Sequence, residues 1–288
     1  MNIFFRELKA SLKSLLIWCG VMAMLIFIGT AKFSAYYNDP SMLKMLDALP
    51  KAMVDAMSLR AFNLTTLIGF FGLMFIYYAL LGGIAAAMWA SDSVSKEERD
   101  KTVEFSLVLP VSRDRVVTAK ALAAVVNSII FVLVTWVCSL LAAQTYKPDQ
   151  TFYNFLTLEM VAMFCIELIF LAVGLMLGCV MKRYKLSGST AIGIILTTYF
   201  LSVMAGMQTK LDFLKYFSPF KYFDAANLME SGSLAKYFSA ANLFGSASQD
   251  GIYRLLSQDG IYLLLSAALI AISVIAAYWV YNKRDLYI

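Results

Sequence analysis

Ser91–Lys120 reads SDSVSKEERDKTVEFSLVLPVSRDRVVTAK, a polar island in an otherwise almost continuously apolar chain, and it carries 12 of the 43 formal charges. Six are acidic (Asp92, Glu97, Glu98, Asp100, Glu104, Asp114) and six are basic. The sequence on either side is too apolar for water. The island is therefore a water-exposed stretch between two membrane spans. Its balanced charge and helix-compatible composition fit a docking surface for another protein.

Outward from the island, composition places the whole chain in the bilayer. Of 288 residues, 61% are hydrophobic and the mean hydropathy is +0.73, against about 45–50% apolar residues in soluble domains. Uncharged runs locate the spans: 18 residues between Lys13 and Lys32, 31 between Arg60 and Asp92, and 26 between Lys120 and Lys147. Further runs of 24 and 23 lie between Lys185 and Lys210 and between Asp259 and Lys283. About 20 apolar residues cross a bilayer as a helix, so these are five spans. A sixth, interrupted by Glu159 and Glu167, is required before Met181. The expected fold is an all-α integral membrane protein of one domain, residues 1–288, with spans near 14–33, 62–90, 119–143, 154–181, 188–207 and 258–281.

An even number of spans puts both termini on one side. The loops on that side hold 14 Lys and Arg in 58 positions, against 10 in 89 on the other. The positive-inside rule makes the termini and the island cytoplasmic. The net charge of +5 is ordinary for such a protein and suggests no nucleic-acid partner. The opening MNIFFRELKASLKSLL gathers Phe4, Phe5, Leu8, Leu12 and Leu15 on one helical face. It reads as an interfacial helix that turns into the first span. It is not a cleavable signal peptide, since a long span follows without a small-residue cleavage site.

The outer loop 34–61 begins with an Asn38-Asp39-Pro40 turn and continues with an amphipathic pattern of Met and Leu. Trp89 reads as an interfacial anchor closing span two. Between spans five and six, KYFDAANLMESGS at 221–233 recurs as KYFSAANLFGSAS at 236–248, and SQDGIY at 248–253 recurs at 257–262. Two copies are too few for a solenoid. They read as tandem duplications that lengthen an outer region of short helices.

The chemistry-bearing residue types are sparse. The chain has no His, which excludes His-based catalysis and His metal sites. Cys19, Cys138, Cys165 and Cys179 lie inside spans without CxxC spacing, so packing accounts for them. No GxxxxGK[ST] phosphate loop, GxSxG or HExxH occurs. Leu186-Ser187-Gly188-Ser189 lacks the second Gly and the Gln of the LSGGQ signature and is rejected. The chain is therefore not read as an enzyme, and no catalytic, cofactor-binding or metal-binding residue is assigned. Gly69, Gly72, Gly82 and Gly83 in span two, and the Gly174/Gly178 GxxxG pair in span four, read as close helix packing.

Glu167 stands apart as an ionisable side chain deep in a span, with Glu159 about two turns earlier near the outer surface. An intramembrane carboxyl is costly unless neutral, paired or wet. Glu167 is thus a candidate for a transport pathway, or a neutral acid bonded between helices. In the island, Lys96–Leu109 reads as a helix that is acidic at its start, as the helix dipole favours. Pro110 stops it, and Ser112 offers an N-cap for the helix of span three.

These residues carry a resemblance. Glu97-Glu98-Arg99, Thr102-Val103-Glu104-Phe105, Leu107-Val108-Leu109-Pro110-Val111-Ser112-Arg113 and Lys120 resemble the block between spans two and three of ABC-2 type transporter permeases. Phe5-Arg6-Glu7-Leu8-Lys9, Ser218-Pro219-Phe220-Lys221-Tyr222-Phe223 and the closing Lys283-Arg284-Asp285-Leu286 support it. Lys101 departs from the family, which often has Gly there. The resemblance implies a six-span permease that pairs with a second copy or a paralogue and docks separate ABC ATPase subunits through a coupling helix, here about 96–109. ATP and Mg would be bound in the ATPase, with no cofactor in this chain. It further implies ATPase-coupling roles for Glu97, Glu98, Glu104, Phe105, Leu109, Pro110 and Arg113, and a place in a bacterial cytoplasmic membrane.

On this reading the chain exports a hydrophobic or amphipathic peptide, antimicrobial or lipid-like molecule, because its spans offer aromatic and Met surface and almost no charge. Two other classes stay open. A stand-alone secondary carrier or channel would depend on Glu167, and a non-transporting immunity or scaffold protein would bind a partner without flux.

Overall fold

The computed structural model describes residues 3–35, 37–39, 62–99, 112–181, 184–207, 209–231 and 258–283, and every regular element among them is helical. The chain forms α1 (Ile3–Phe33), α2 (Leu67–Arg99), α3 (Arg113–Ala143), α4 (Gln150–Val180) and α5 (Tyr184–Met207). A 3-10 segment, Thr209–Phe217, and two short helices, α6 (Pro219–Tyr222) and α7 (Ala225–Ser231), lead towards the last long helix, α8 (Gln258–Lys283). Six of these helices are long and apolar enough to cross a membrane, as the uncharged runs require. A helix of 31 residues such as α4 is about 46 Å long at 1.5 Å per residue. The hydrocarbon core is about 30 Å thick, so such helices emerge from it.

The structure moves several boundaries. The first helix runs unbroken through Lys13, so the expected turn between an interfacial helix and span one is absent. Nothing in Ile3–Phe33 breaks a helix, since Gly20 and Gly29 each cost only about 1 kcal/mol. The second helix continues through Lys96 to Arg99, so the start of the expected coupling helix is continuous with span two, and 100–109 lie outside the described residues. The outer loop pattern at 40–61, the second copy of the longer repeat at 236–248 and the first copy of the shorter one at 248–253 lie outside the described residues, while 258–262 of the shorter repeat's second copy open α8.

At the centre of the bundle is α4, packed against α2, α3, α5 and α8. Its closest approach is to α2, and glycine makes that possible. A Cβ on Gly174 would lie 2.3 Å from the Ala87 carbonyl oxygen, and one on Gly178 would lie 2.9 Å from that of Ser91. The GxxxG reading therefore holds, with the two backbones in contact. Gly72 and Gly83 similarly make room for the rings of Phe62 and Phe170.

The start of α1 and the end of α8 lie at one end of the bundle. There Trp89 Nε1 donates to Ser14 Oγ at 3.1 Å, and the start of α3 meets the end of α8. Trp89 is 5% exposed, so it joins α1 to α2 in the core and is not an interfacial anchor. At the opposite end Phe33 stacks on Phe70 with centroids 4.6 Å apart, and Tyr146 donates to the Thr30 carbonyl at 3.0 Å. Glu159, nine residues into α4, is buried within the bundle. The outward faces of α1 (Leu16, Ile17), α5 (Phe200) and α8 (Ile275, Trp279) expose large apolar side chains, as lipid-facing helices do.

Candidate functional site

The island enters and leaves the bundle through two clamps made by its own end residues. Ser91 Oγ donates to Ser187 Oγ at 2.9 Å, and Ser95 Oγ lies 2.9 Å from the same atom, so the last turns of α2 are tied to the first turn of α5. Ser91 and Ser95 meet one partner because residues four apart lie above one another on a helix. All three hydroxyls belong to buried residues, where a hydrogen bond lost on one side leaves its partner uncompensated. Ser187 thus serves packing, in keeping with the rejection of Leu186-Ser187-Gly188-Ser189 as a nucleotide signature.

Lys120 supplies the link from α3 back to α2. Its ammonium group donates to the Ser93 carbonyl oxygen, and the residue is 0% exposed. The water-exposed island predicted as far as Lys120 therefore ends sooner. The chain re-enters the bundle by Val116 and Val117, both buried, and the lysine stem crosses the α2–α3 contact to reach a carbonyl.

Arg113 forms the second clamp. Its Nη1 donates to the carbonyls of Tyr281 and Asn282, each at 3.3 Å. These belong to the last turn of α8, where four carbonyls lack intrahelical donors and a cation is favoured by the helix dipole. Asn282 Nδ2 donates in turn to Asp114 Oδ1 at 2.7 Å, and Thr118 Oγ1 lies 2.7 Å from Tyr278 Oη. Asp114 occupies the first turn of α3, where an acidic side chain is favoured. Ser112 stands at the N-cap position with extended backbone, but its side chain makes no capping bond.

Of the residues proposed for coupling, the structure places Arg113 in this clamp and Glu97 and Glu98 within α2. Glu104, Phe105, Leu109 and Pro110 lie outside the described residues. Sequence reasoning did not reach Ser91, Ser95, Ser187 or the partners of Arg113. The i, i+4 spacing of the first two was legible as a shared face, but their partner lies 92 residues beyond Ser95.

Above these clamps a second constellation occupies the core. Glu167 is 0% exposed and packs against Gly82, where an added Cβ would fall 2.5 Å from Oε1. The Ser128 hydroxyl of α3 faces the carboxyl, but neither group completes a hydrogen bond of good geometry. Eight residues along α4, about 12 Å by helical rise, Glu159 is equally buried, and its carboxyl oxygens also have no hydrogen-bond partner among the described residues. Nearer the termini, a polar cleft with about 550 Å³ of empty space, mouth included, is lined by Glu7, Ser11, Trp89, Asp92, Lys96 and Asn127, among others. Asn127 Nδ2 donates to Ser11 Oγ at 2.9 Å, which joins α3 to α1 beside that cleft.

No curated protein matches the chain. A family model described as ABC-2 family transporter protein matches residues 1–286. The chain belongs to that family, and is thus a permease of an ABC transporter, a multi-pass membrane transport domain and not a nucleotide-binding one.

Proposed function

We propose that the chain is the permease subunit of an exporter in a bacterial cytoplasmic membrane, with both termini in the cytoplasm. It pairs with a second permease, receives force from ATPase subunits at the island, and moves a hydrophobic or amphipathic cargo. The observation that carries the coupling is the double clamp. One edge of the island is tied to α5 through Ser91, Ser95 and Ser187, and the other to α8 through Arg113, with Lys120 joining α3 to α2. A push on the island is then shared by four spans and not absorbed by a loop, which is what ATP-driven rocking needs. Glu97, Glu98, Glu104, Phe105, Leu109 and Pro110 supply the ATPase-facing surface, with ATP and Mg bound by that partner.

Co-purification with a phosphate-loop ATPase, followed by a screen of amphipathic compounds for stimulated ATP hydrolysis in lipid, tests the reading. Replacing Glu104 and Arg113 together should abolish stimulation. Undiminished stimulation in that double variant would refute the coupling role.

A second reading has one observation in its favour. Two fully buried carboxyls without hydrogen-bond partners among the described residues are costly in a purely structural bundle, and a stand-alone carrier would use Glu167 on its pathway. That reading requires flux through the purified chain without an ATPase, and loss of that flux in Glu167→Gln.

A further inference from the structure

Beside α2 and α5, at the end opposite the termini, lies a cleft with about 650 Å³ of empty space, its open mouth included. Its wall is aromatic and aliphatic, with Phe75 and Tyr77 from α2, Tyr199 and Val203 from α5, and Phe220 from α6. Such a wall suits acyl chain.

The cleft also has a polar lip. Lys221 Nζ and Asp224 Oδ2 form an ion pair at 2.5 Å with about four-fifths of each side chain withdrawn from solvent. Asp224 Oδ1 accepts the Ala226 N–H at 3.2 Å and so opens α7. The ammonium keeps N–H donors beyond the one spent on Asp224. A purely anionic head approaching it would also face the Asp224 carboxylate paired with it. A purely cationic head would meet Lys221, and an uncharged head would satisfy neither. A head with both an ammonium and a phosphate can lie antiparallel to the pair and match both charges.

The lip is held in place before any ligand arrives. Ser218 Oγ donates to the Thr198 carbonyl at 2.8 Å, which fixes the turn to α5. Tyr222 stacks on Tyr262 of α8 at 5.2 Å, and Phe220 packs on Phe170 at 5.3 Å. A site fixed in this way does not have to be ordered on binding.

We propose that this cleft binds one zwitterionic phospholipid of the adjacent leaflet, acyl chain between α2 and α5 and headgroup on the Lys221–Asp224 pair. The proposal needs only one membrane-embedded chain. It does not depend on the cargo, a second permease or an ATPase, and its test involves no ATP.

The full chain, in vesicles, is exposed to three lipids that carry the same diazirine-bearing acyl chain: a phosphatidylethanolamine, a phosphatidylglycerol and an uncharged diacylglycerol. Labelled residues are then mapped by peptide mass spectrometry. The ethanolamine lipid should label the 199–203 and 220–225 segments about tenfold more than either other lipid, a difference of one decade in affinity. Filling the cleft from either wall, by Ala225→Phe or Val203→Trp, should remove that excess while leaving diffuse labelling of α1 and α8 unchanged. Asp224→Asn should erase the preference over phosphatidylglycerol, and Lys221→Gln should lower labelling by both phospholipids. Equal labelling by all three lipids in the native chain would overturn the proposal, as would excess labelling that survives both filling variants.

Discussion

Gly174→Ala is the perturbation whose cost the structure sets most directly. Ordinary van der Waals contact begins near 3.4 Å, and the new methyl would stand 2.3 Å from the Ala87 oxygen and 2.8 Å from its Cα. Both atoms are backbone, so no side-chain rotation relieves the clash, and α4 must withdraw from α2 by about 1 Å. Overpacking of this kind costs about 1–3 kcal/mol, and replacing a helical Gly by Ala returns about 1 kcal/mol. The net expectation is a loss of about 2 kcal/mol, the upper part of that range, because the contact is rigid on both sides. Gly178→Ala, with its methyl 2.9 Å from Ser91 O, needs half the displacement and should be close to neutral. Gly20→Ala, with nothing within 4 Å of its methyl, should gain about 0.5–1 kcal/mol. Reversible unfolding in mixed micelles, titrated with denaturing detergent, gives all three values. The reasoning fails if Gly174→Ala is as stable as Gly20→Ala.

Arg113→Ala removes two charge-assisted bonds to the end of α8, each worth about 1.5–3 kcal/mol when fully buried and less at this half-exposed site. Cargo-stimulated ATP hydrolysis should fall about tenfold while the ATPase still co-purifies; loss of co-purification would place Arg113 on the docking surface instead. Glu167→Gln keeps the shape against Gly82, and in the ATP-driven exporter it should leave stimulated hydrolysis unchanged; abolished flux in the purified chain alone would favour the carrier. Burial, followed by the neighbouring Tyr262 phenol, pushes the Tyr222 hydroxyl up to about 12 from its usual 10. A folded-state value above the unfolded one means that this stabilisation is complete below about pH 10 and is lost as pH rises towards 12. Phenolate absorbance should therefore titrate later in the native chain than in Tyr222→Phe, and identical curves would contradict the assignment.

Spans and helix pairing were legible because both are written in local composition. Uncharged runs mark five of the six long helices, the central one being apolar but interrupted by Glu159 and Glu167, and Gly174 and Gly178 mark the closest contact. What stayed hidden depends on partners far away in sequence. Lys120 reads as the last charge of a solvated island, but its ammonium group finds the Ser93 carbonyl across α2 and its stem is enclosed. Arg113 reads as part of a docking block, but it holds carbonyls 168 and 169 residues away. Trp89 has the composition of an interfacial anchor and the position of one; only the neighbouring Ser14 hydroxyl shows that it faces inward. The duplicated KYF(D/S)AANL segment reads as a lengthened outer region of short helices, with no packing role assigned to it. In its described copy Tyr222, Phe223, Ala225 and Leu228 are all buried, and those four residue types recur at the same places in 236–248, where Ser239 replaces Asp224. The duplication therefore preserved the packing residues and dropped the carboxylate that pairs with lysine.

The clamps also decide which parts of the permease can move relative to one another. Neither Lys120 nor the Ser91/Ser95/Ser187 triad can release its bonds cheaply, because the groups are buried and a separated partner keeps its full desolvation cost. The Arg113 contact differs, since it is half-exposed and its bonds run to terminal carbonyls that water can satisfy. Under load from the island, α2, α3 and α5 should therefore travel as one body, and slippage should occur first between α3 and α8. Thiol cross-linking across the two boundaries separates these cases: a Thr118→Cys/Tyr278→Cys pair joined by a short bismaleimide, which spans the length of the lost tyrosine ring, should arrest ATP-driven transport, whereas a Ser95→Cys/Ser187→Cys disulfide should leave it intact. The reverse pattern would place the moving boundary at α5 and would remove the argument that burial decides which contact gives way.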